Sequence, residues 1–173
     1  MTDDRLKKIR MVLLDVDGVL TGGEIIYADS GEQIKIFNVR DGLGIRLLKE
    51  AGLKVGIVTG RKGRALHHRC VNLGIDLVFD GIRRKEQALD QIAADTGIPA
   101  EAMAFVGDDL PDLPIMKRVG LAVAVADAHE LVRRHAHLTT RCRGGRGAVR
   151  EISEAILKAQ GLWEDLVERL FDG

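Results

Sequence analysis

The sequence predicts an α/β fold built on a doubly wound, Rossmann-like parallel sheet, and three observations carry that prediction. Short, continuously apolar runs recur along the chain. Each is followed by a stretch of helical periodicity, often closed by glycine. Polar residues gather where the apolar runs end. Strands without polar alternation need cover on both faces, and a parallel sheet between two helical layers supplies it.

Taken in order, the strands are MVLLDV at 11–16, KVGIVT at 54–59, LVFD at 77–80, AMAFVG at 102–107 and LAVAVA at 121–126. Helices are predicted over 43–51, 62–73, 84–96 and 111–118. A last helical stretch, 148–170, carries Ile152, Ile156, Leu157, Leu162, Leu166 and Leu170 at helical spacing and is divided by Gly161. One segment breaks the alternation: EIIYADSGEQIKIFNV, between 21 and 39, reads as strand, Asp-Ser-Gly turn, strand, a protruding β-hairpin.

A chain of 173 residues suits one domain, 1–173, with the hairpin as an insertion at about 22–39 and a helical tail at about 161–173. Formal net charge is zero and aromatic residues make up 3%, so neither the basic surplus nor the stacking platforms expected of a nucleic-acid partner are present. Cys70 and Cys142 stand alone without a CxxC pair, which points away from a disulfide framework or a zinc knuckle and towards a reducing cytoplasm. The charged start, MTDDRLKKIR, has no apolar core, and no run approaches bilayer length, so no membrane partner is expected.

Right-handed crossovers bring the carboxyl ends of parallel strands to one edge. There the sequence places Asp15 and Asp17, then Thr59, Gly60 and Arg61, then Asp108, Asp109 and Asp112, with Lys85 opening a helix nearby. Such a carboxylate cluster repels itself unless a cation neutralises it, and all-oxygen ligation points to Mg²⁺. A hard metal with lysine, a threonine hydroxyl and glycine amides can hold a phosphoryl group. Asp15 and Asp17, two apart, can face the same side, one attacking phosphorus and the other protonating the departing oxygen.

The motifs DVDGVLT, IVTGR, Lys85 and GDDLPD, in that order, resemble the four motifs of the haloacid dehalogenase superfamily of phosphatases. The resemblance implies that Asp15 is the nucleophile that becomes an aspartyl phosphate and that Asp17 is the general acid and then base. It implies Mg²⁺ held by the Asp15 and Asp108 carboxylates and the Asp17 carbonyl, with Asp109 and Asp112 in support. Thr59 would hydrogen-bond a phosphoryl oxygen and Lys85 would balance its charge.

More narrowly, FNVRDGLGIRLL, TGRKGRALHHRCVNLGI, VGDDLPDLPIMKRVGLAVAVADAH and RGGRGAVREI resemble the 3-deoxy-D-manno-octulosonate 8-phosphate (KDO 8-phosphate) phosphatases over about 11–161. This implies a small anionic sugar phosphate as substrate. Asn38, Val39, Arg40, Asp41, Gly42, Arg46, Arg61 and Arg69 correspond to positions that contact it, together with Asp17, Gly60 and Lys85. Guanidinium groups suit a ligand with a carboxylate and a phosphate.

Twenty-five residues separate Thr59 from Lys85 and forty-one separate Asp17 from Thr59, too few for a separate cap domain. The resembling family closes its sites as a homotetramer in which neighbouring subunits complete them. Here the tail WEDLVERLFDG is acidic and amphipathic, unlike a flexible lid.

Other readings are weaker. DVDG as a calcium loop fails because Leu20 stands where glycine is needed and Ile26 where the bidentate Glu belongs. GGRG at 144–147 lacks the Gly-Lys-Ser/Thr of a P-loop and reads either as a turn or as a site-lining segment. The five histidines lack metal-ligand company. Two functional alternatives stand beside the first: a phosphatase for a nine-carbon sugar acid 9-phosphate, and a non-catalytic oligomerisation domain of the same fold. The presence of Asp15, Asp17, Thr59, Lys85 and Asp108 favours catalysis.

Overall fold

The computed structural model describes residues 3–172, and within the last helix side chains only as far as Arg169, so Leu170 of the apolar period lies outside them. Along the chain run β1 (Met11–Leu14), β2 (Ile26–Tyr27), β3 (Gln33–Ile34), α1 (Val39–Glu50), β4 (Lys54–Val58), α2 (Arg64–Leu73), β5 (Leu77–Phe79) and α3 (Lys85–Thr96). There follow β6 (Met103–Gly107), α4 (Leu113–Met116), β7 (Leu121–Ala124), α5 (Glu130–His135), β8 (Leu138–Thr139), α6 (Ala148–Ala159) and α7 (Trp163–Asp172). Six strands form one parallel sheet in the order β5-β4-β1-β6-β7-β8.

Every residue of β1, β6 and β7 is buried, as their unbroken apolar sequences require of central strands covered on both faces. One layer contains α1, α2 and α6, and the other contains α3, α4 and α5. From β1 the chain winds outward to β4 and β5, then returns to β6 on the other side of β1. Connections after β1 and β6 therefore leave on opposite faces, and a crevice opens between those two strand ends, the switch point of the sheet. Leu14 pairs with Val106 and with Ile57, so the residues that follow each strand meet at one level.

Differences from the sequence reading are local. The hairpin is present, but its strands are two residues each, joined by a turn in which Ala28 N donates to Glu32 O at 2.9 Å. Helix α1 begins at Val39 rather than at 43, because the Asn38 side chain accepts from Arg40 N at 2.8 Å and caps it. The 111–118 stretch is a 3₁₀ turn, Leu110–Asp112, followed by the short α4. Helix α5 and edge strand β8 are absent from the prediction, each too short to show a period. The long C-terminal stretch does divide at Gly161, and Trp163 returns to α6, its ring 4.7 Å from Lys158 Nζ and 5.6 Å from Arg150 Cζ. Among the described residues no helix is long and apolar enough to cross a membrane, and no segment outside the sheet and its helices is large enough to form a separate cap.

Candidate active site

At the end of β1, Asp15 is buried with both oxygens engaged: Oδ1 accepts from Val16 N at 2.7 Å and Oδ2 lies 2.7 Å from Lys85 Nζ. Lys85, the first residue of α3, is itself buried and also reaches Asp112 Oδ1 at 2.6 Å. Asp112, only 1% exposed, accepts through Oδ2 from Asp108 N at 2.9 Å and from Asp109 N at 3.3 Å. It thus ties the loop after β6 to the lysine. Asp109 is exposed, and its Oδ1 caps the 3₁₀ turn by accepting from Leu110 N at 2.8 Å. The two residues expected to support a metal therefore organise the loop that carries Asp108.

These residues line a cleft of about 340 Å³ together with Asp17, Gly23, Thr59, Gly60, Arg61 and Pro111. Thr59 is buried at the end of β4, its carbonyl accepting from Ile82 N at 3.0 Å, so its hydroxyl is presented from a fixed backbone. Arg61 Nε lies 3.7 Å from Asp17 Oδ2. Gly18 turns with φ +87°, and a Cβ there would sit 2.0 Å from Asp108 Oδ2, so only glycine lets the two loops close on each other. The GGRG segment resolves as a buttress: Gly145 N donates to Val19 O at 2.8 Å, and a Cβ on Gly144 would lie 1.7 Å from Gly18 O.

Not all residues expected at the substrate join this cleft. Asn38 caps α1, while Val39, Arg40 and Arg46 face outward. Arg69 folds onto the start of α1, donating to Asn38 O at 3.1 Å and packing so closely on Gly42 that a Cβ there would lie 2.3 Å from its Nη2. Asp41 is 1% exposed and accepts from Gly147 N at 3.1 Å and Arg150 N at 2.9 Å, satisfying the amino end of α6. It is bound within the chain, not presented to the cleft. Asp41→Ala should destabilise the fold by about 2 kcal/mol, since it leaves buried N–H groups unpaired, and urea unfolding will read this directly.

Two contributors were not anticipated. The buried Thr21 hydroxyl accepts from Gly23 N at 3.2 Å and Gly18 N at 3.4 Å, fixing the loop after Asp17. Lys35, from the hairpin, forms an ion pair with Asp17. Its signal in the sequence is a single lysine between Ile34 and Ile36, which strand alternation sends to the opposite face.

Carboxylate oxygens of Asp15, Asp108 and Asp112 lie within 4.8 Å of one another. Burial, then the charge of Asp112, pushes Asp15 up to about 6 against the pull of Lys85. Asp108 is pushed up to about 8 by burial and by Asp112 and Asp15. Burial works against the Lys85 ammonium, but Asp15 and Asp112 outweigh it and hold the group charged. Asp108 Oδ1 is buried with no hydrogen-bond partner. An orphaned oxygen on Asp108, with carboxylate oxygens of Asp15 and Asp112 within 4.8 Å, fits a hard, oxygen-ligated cation.

The model of haloacid dehalogenase-like hydrolases matches residues 75–152. The chain is 47% identical over 157 residues to the 3-deoxy-D-manno-octulosonate 8-phosphate phosphatase KdsC of Escherichia coli K12, covering 91% of this chain and 84% of the relative. The chain belongs to the KDO 8-phosphate phosphatase family. A crystal structure of the family's Yersinia pestis member superimposes with a TM-score of 0.93 at 46% identity, covering 95% of this chain and 90% of the other. The Moraxella catarrhalis member, solved in complex with magnesium, phosphate and KDO, gives 0.94 at 37% identity, covering 96% and 95%. Membership fixes the chemistry class of the cleft as that of a haloacid dehalogenase-like hydrolase.

Proposed function

We propose that this chain is a Mg²⁺-dependent phosphatase that hydrolyses KDO 8-phosphate to KDO and inorganic phosphate through an aspartyl phosphate on Asp15. The observation that carries the reading is the buried Asp15 carboxylate, aimed by Val16 N at 2.7 Å and by Lys85 Nζ at 2.7 Å into a cleft that also contains Asp17, Thr59 and Asp108. Asp15 Oδ attacks phosphorus, and the bond to the sugar oxygen breaks. Asp17 gives that oxygen a proton, since a sugar alkoxide is a poor leaving group, and then takes one from the water that cleaves the aspartyl phosphate. Lys85 neutralises charge on Asp15 and the phosphoryl group, while Thr59 and Gly60 hydrogen-bond its oxygens. Mg²⁺ held by Asp15 and Asp108 would cancel carboxylate repulsion and draw charge from the phosphoryl oxygens.

The same reading assigns the chain to a cytoplasmic homotetramer. Ile25, Ile26, Tyr27, Ile34 and Ile36 are all exposed on the hairpin, Tyr27 63% and Ile36 68%, and this apolar surface suits burial against another subunit. Val39, Arg40 and Arg46, outward-facing here, would then serve a site shared between subunits. Free Cys70 and Cys142 suit a reducing compartment.

The test is kcat/KM for KDO 8-phosphate against a nine-carbon sugar acid 9-phosphate, with Mg²⁺ and with EDTA. KDO 8-phosphate should be preferred at least about tenfold, a difference of about 1.4 kcal/mol in transition-state binding. EDTA should remove the activity. A higher value for the nine-carbon substrate overturns the assignment.

A further inference from the structure

The hairpin turns its apolar residues outward and buries its lysine. Lys35 follows β3 directly, and its side chain is 3% exposed, whereas neighbouring Ile34 and Ile36 are 47% and 68% exposed. A buried ammonium is costly unless it is paired, and Lys35 meets Asp17 Oδ1, while Arg61 stands at 3.7 Å from Oδ2. The cleft thus has two poles. Asp15, Asp108 and Asp112 with Lys85 make an acidic one, suited to a cation. Arg61, which lines the cleft, and Lys35, which meets it through Asp17, make a cationic one, suited to an anion.

Lys35 occupies Asp17 Oδ1 and Arg61 stands 3.7 Å from Oδ2, so a departing oxygen competes with Lys35 for Asp17. Lysine, a point charge on a flexible four-carbon stem, can change partner with little movement. Because Asp15 and Asp17 flank the reacting phosphorus, a cation on Asp17 is beside the phosphoryl oxygens. We infer that Lys35 is a phosphoryl-binding residue delivered by the hairpin, which exchanges Asp17 for the substrate's phosphoryl oxygens as the substrate enters. The hairpin is then part of the site as well as a contact surface. This inference rests on the phosphatase reading and adds a residue to it.

Binding of inorganic phosphate in Mg²⁺, measured by calorimetry, tests it through a double-mutant cycle of Lys35→Met and Asp17→Asn. Lys35→Met should weaken phosphate binding about tenfold or more, in the range of a lost charged hydrogen bond, and should do so in the Asp17→Asn background as well. Lys35→Arg, which keeps a positive charge and N–H donors, should lose less affinity than Lys35→Met. Lys35→Gln repeats the comparison if a melting curve shows the methionine variant unfolded. Unchanged affinity on removing the lysine overturns the inference, as does a loss that vanishes once Asp17 is Asn, since Lys35 would then only neutralise that carboxylate. Failure of the unsubstituted chain to hydrolyse KDO 8-phosphate overturns the phosphatase reading instead, so the two failures are distinct.

Discussion

Replacing Asp15 with Asn should lower turnover of KDO 8-phosphate at least about 10⁴-fold, because an amide oxygen is not a nucleophile and no aspartyl phosphate can form. The loss is of chemistry, not of fold. Asp112 still pairs with Lys85 at 2.6 Å and still holds the Asp108 loop through Asp108 N at 2.9 Å. Removing one of three close carboxylates also relieves repulsion, so the melting temperature of the metal-free variant should not fall. Phosphate release and a thermal melt on the same sample separate the two effects. Retention of more than about one hundredth of the activity would exclude Asp15 as the nucleophile.

Asp108→Asn should have the next largest effect, through the metal. In the metal-free protein the Asp108 carboxyl sits at about 8 and Asp15 at about 6, both above the ordinary 3.8 of an aspartate. Raised carboxyl values mean that the folded chain holds these protons more tightly than the unfolded chain does. Their contribution to stability is therefore complete below about pH 4 and is lost as pH rises through about 6 for Asp15 and about 8 for Asp108. Mg²⁺ needs the ionised forms and must displace those protons, so its affinity should climb between pH 6 and pH 8, the window set by the two values. Thermal shifts with and without Mg²⁺ across that range should show a stabilisation that grows with pH. In Asp108→Asn the Mg²⁺-dependent shift should disappear and turnover should fall about 10³-fold or more. An unchanged shift in that variant would remove Asp108 from the metal site.

The central strands and the acidic crevice were legible because each rests on a short-range signal. Runs such as MVLLDV and AMAFVG can only be buried on both faces, and the topology rule then carries Asp15, Thr59 and Asp108 to one edge whatever their separation in sequence. Features that were not legible depend on partners brought together by the fold. Asp41 resembles a ligand-contacting acid in FNVRDG, yet it caps a helix that begins at Ala148, more than a hundred residues later. Asp112 reads as one more carboxylate until Lys85 and two backbone amides are seen on its oxygens. Lys35 was hidden because a lysine in a hairpin usually faces solvent, and only the outward turn of Ile34 and Ile36 shows the strand inverted. Helix α5 and strand β8, six and two residues long, are below the length at which a period can be recognised.

The central claim is that hydrolysis passes through a covalent phosphoryl group on Asp15. Rapid acid quench during turnover of KDO 8-phosphate in Mg²⁺, followed by mass spectrometry of the peptide spanning β1 and its loop, measures it directly. One phosphoryl group on Asp15, absent from the Asp15→Asn variant, is the expected result. Phosphate released in a normal burst with no phosphoryl group on the protein, or with the group on Asp17, would contradict it.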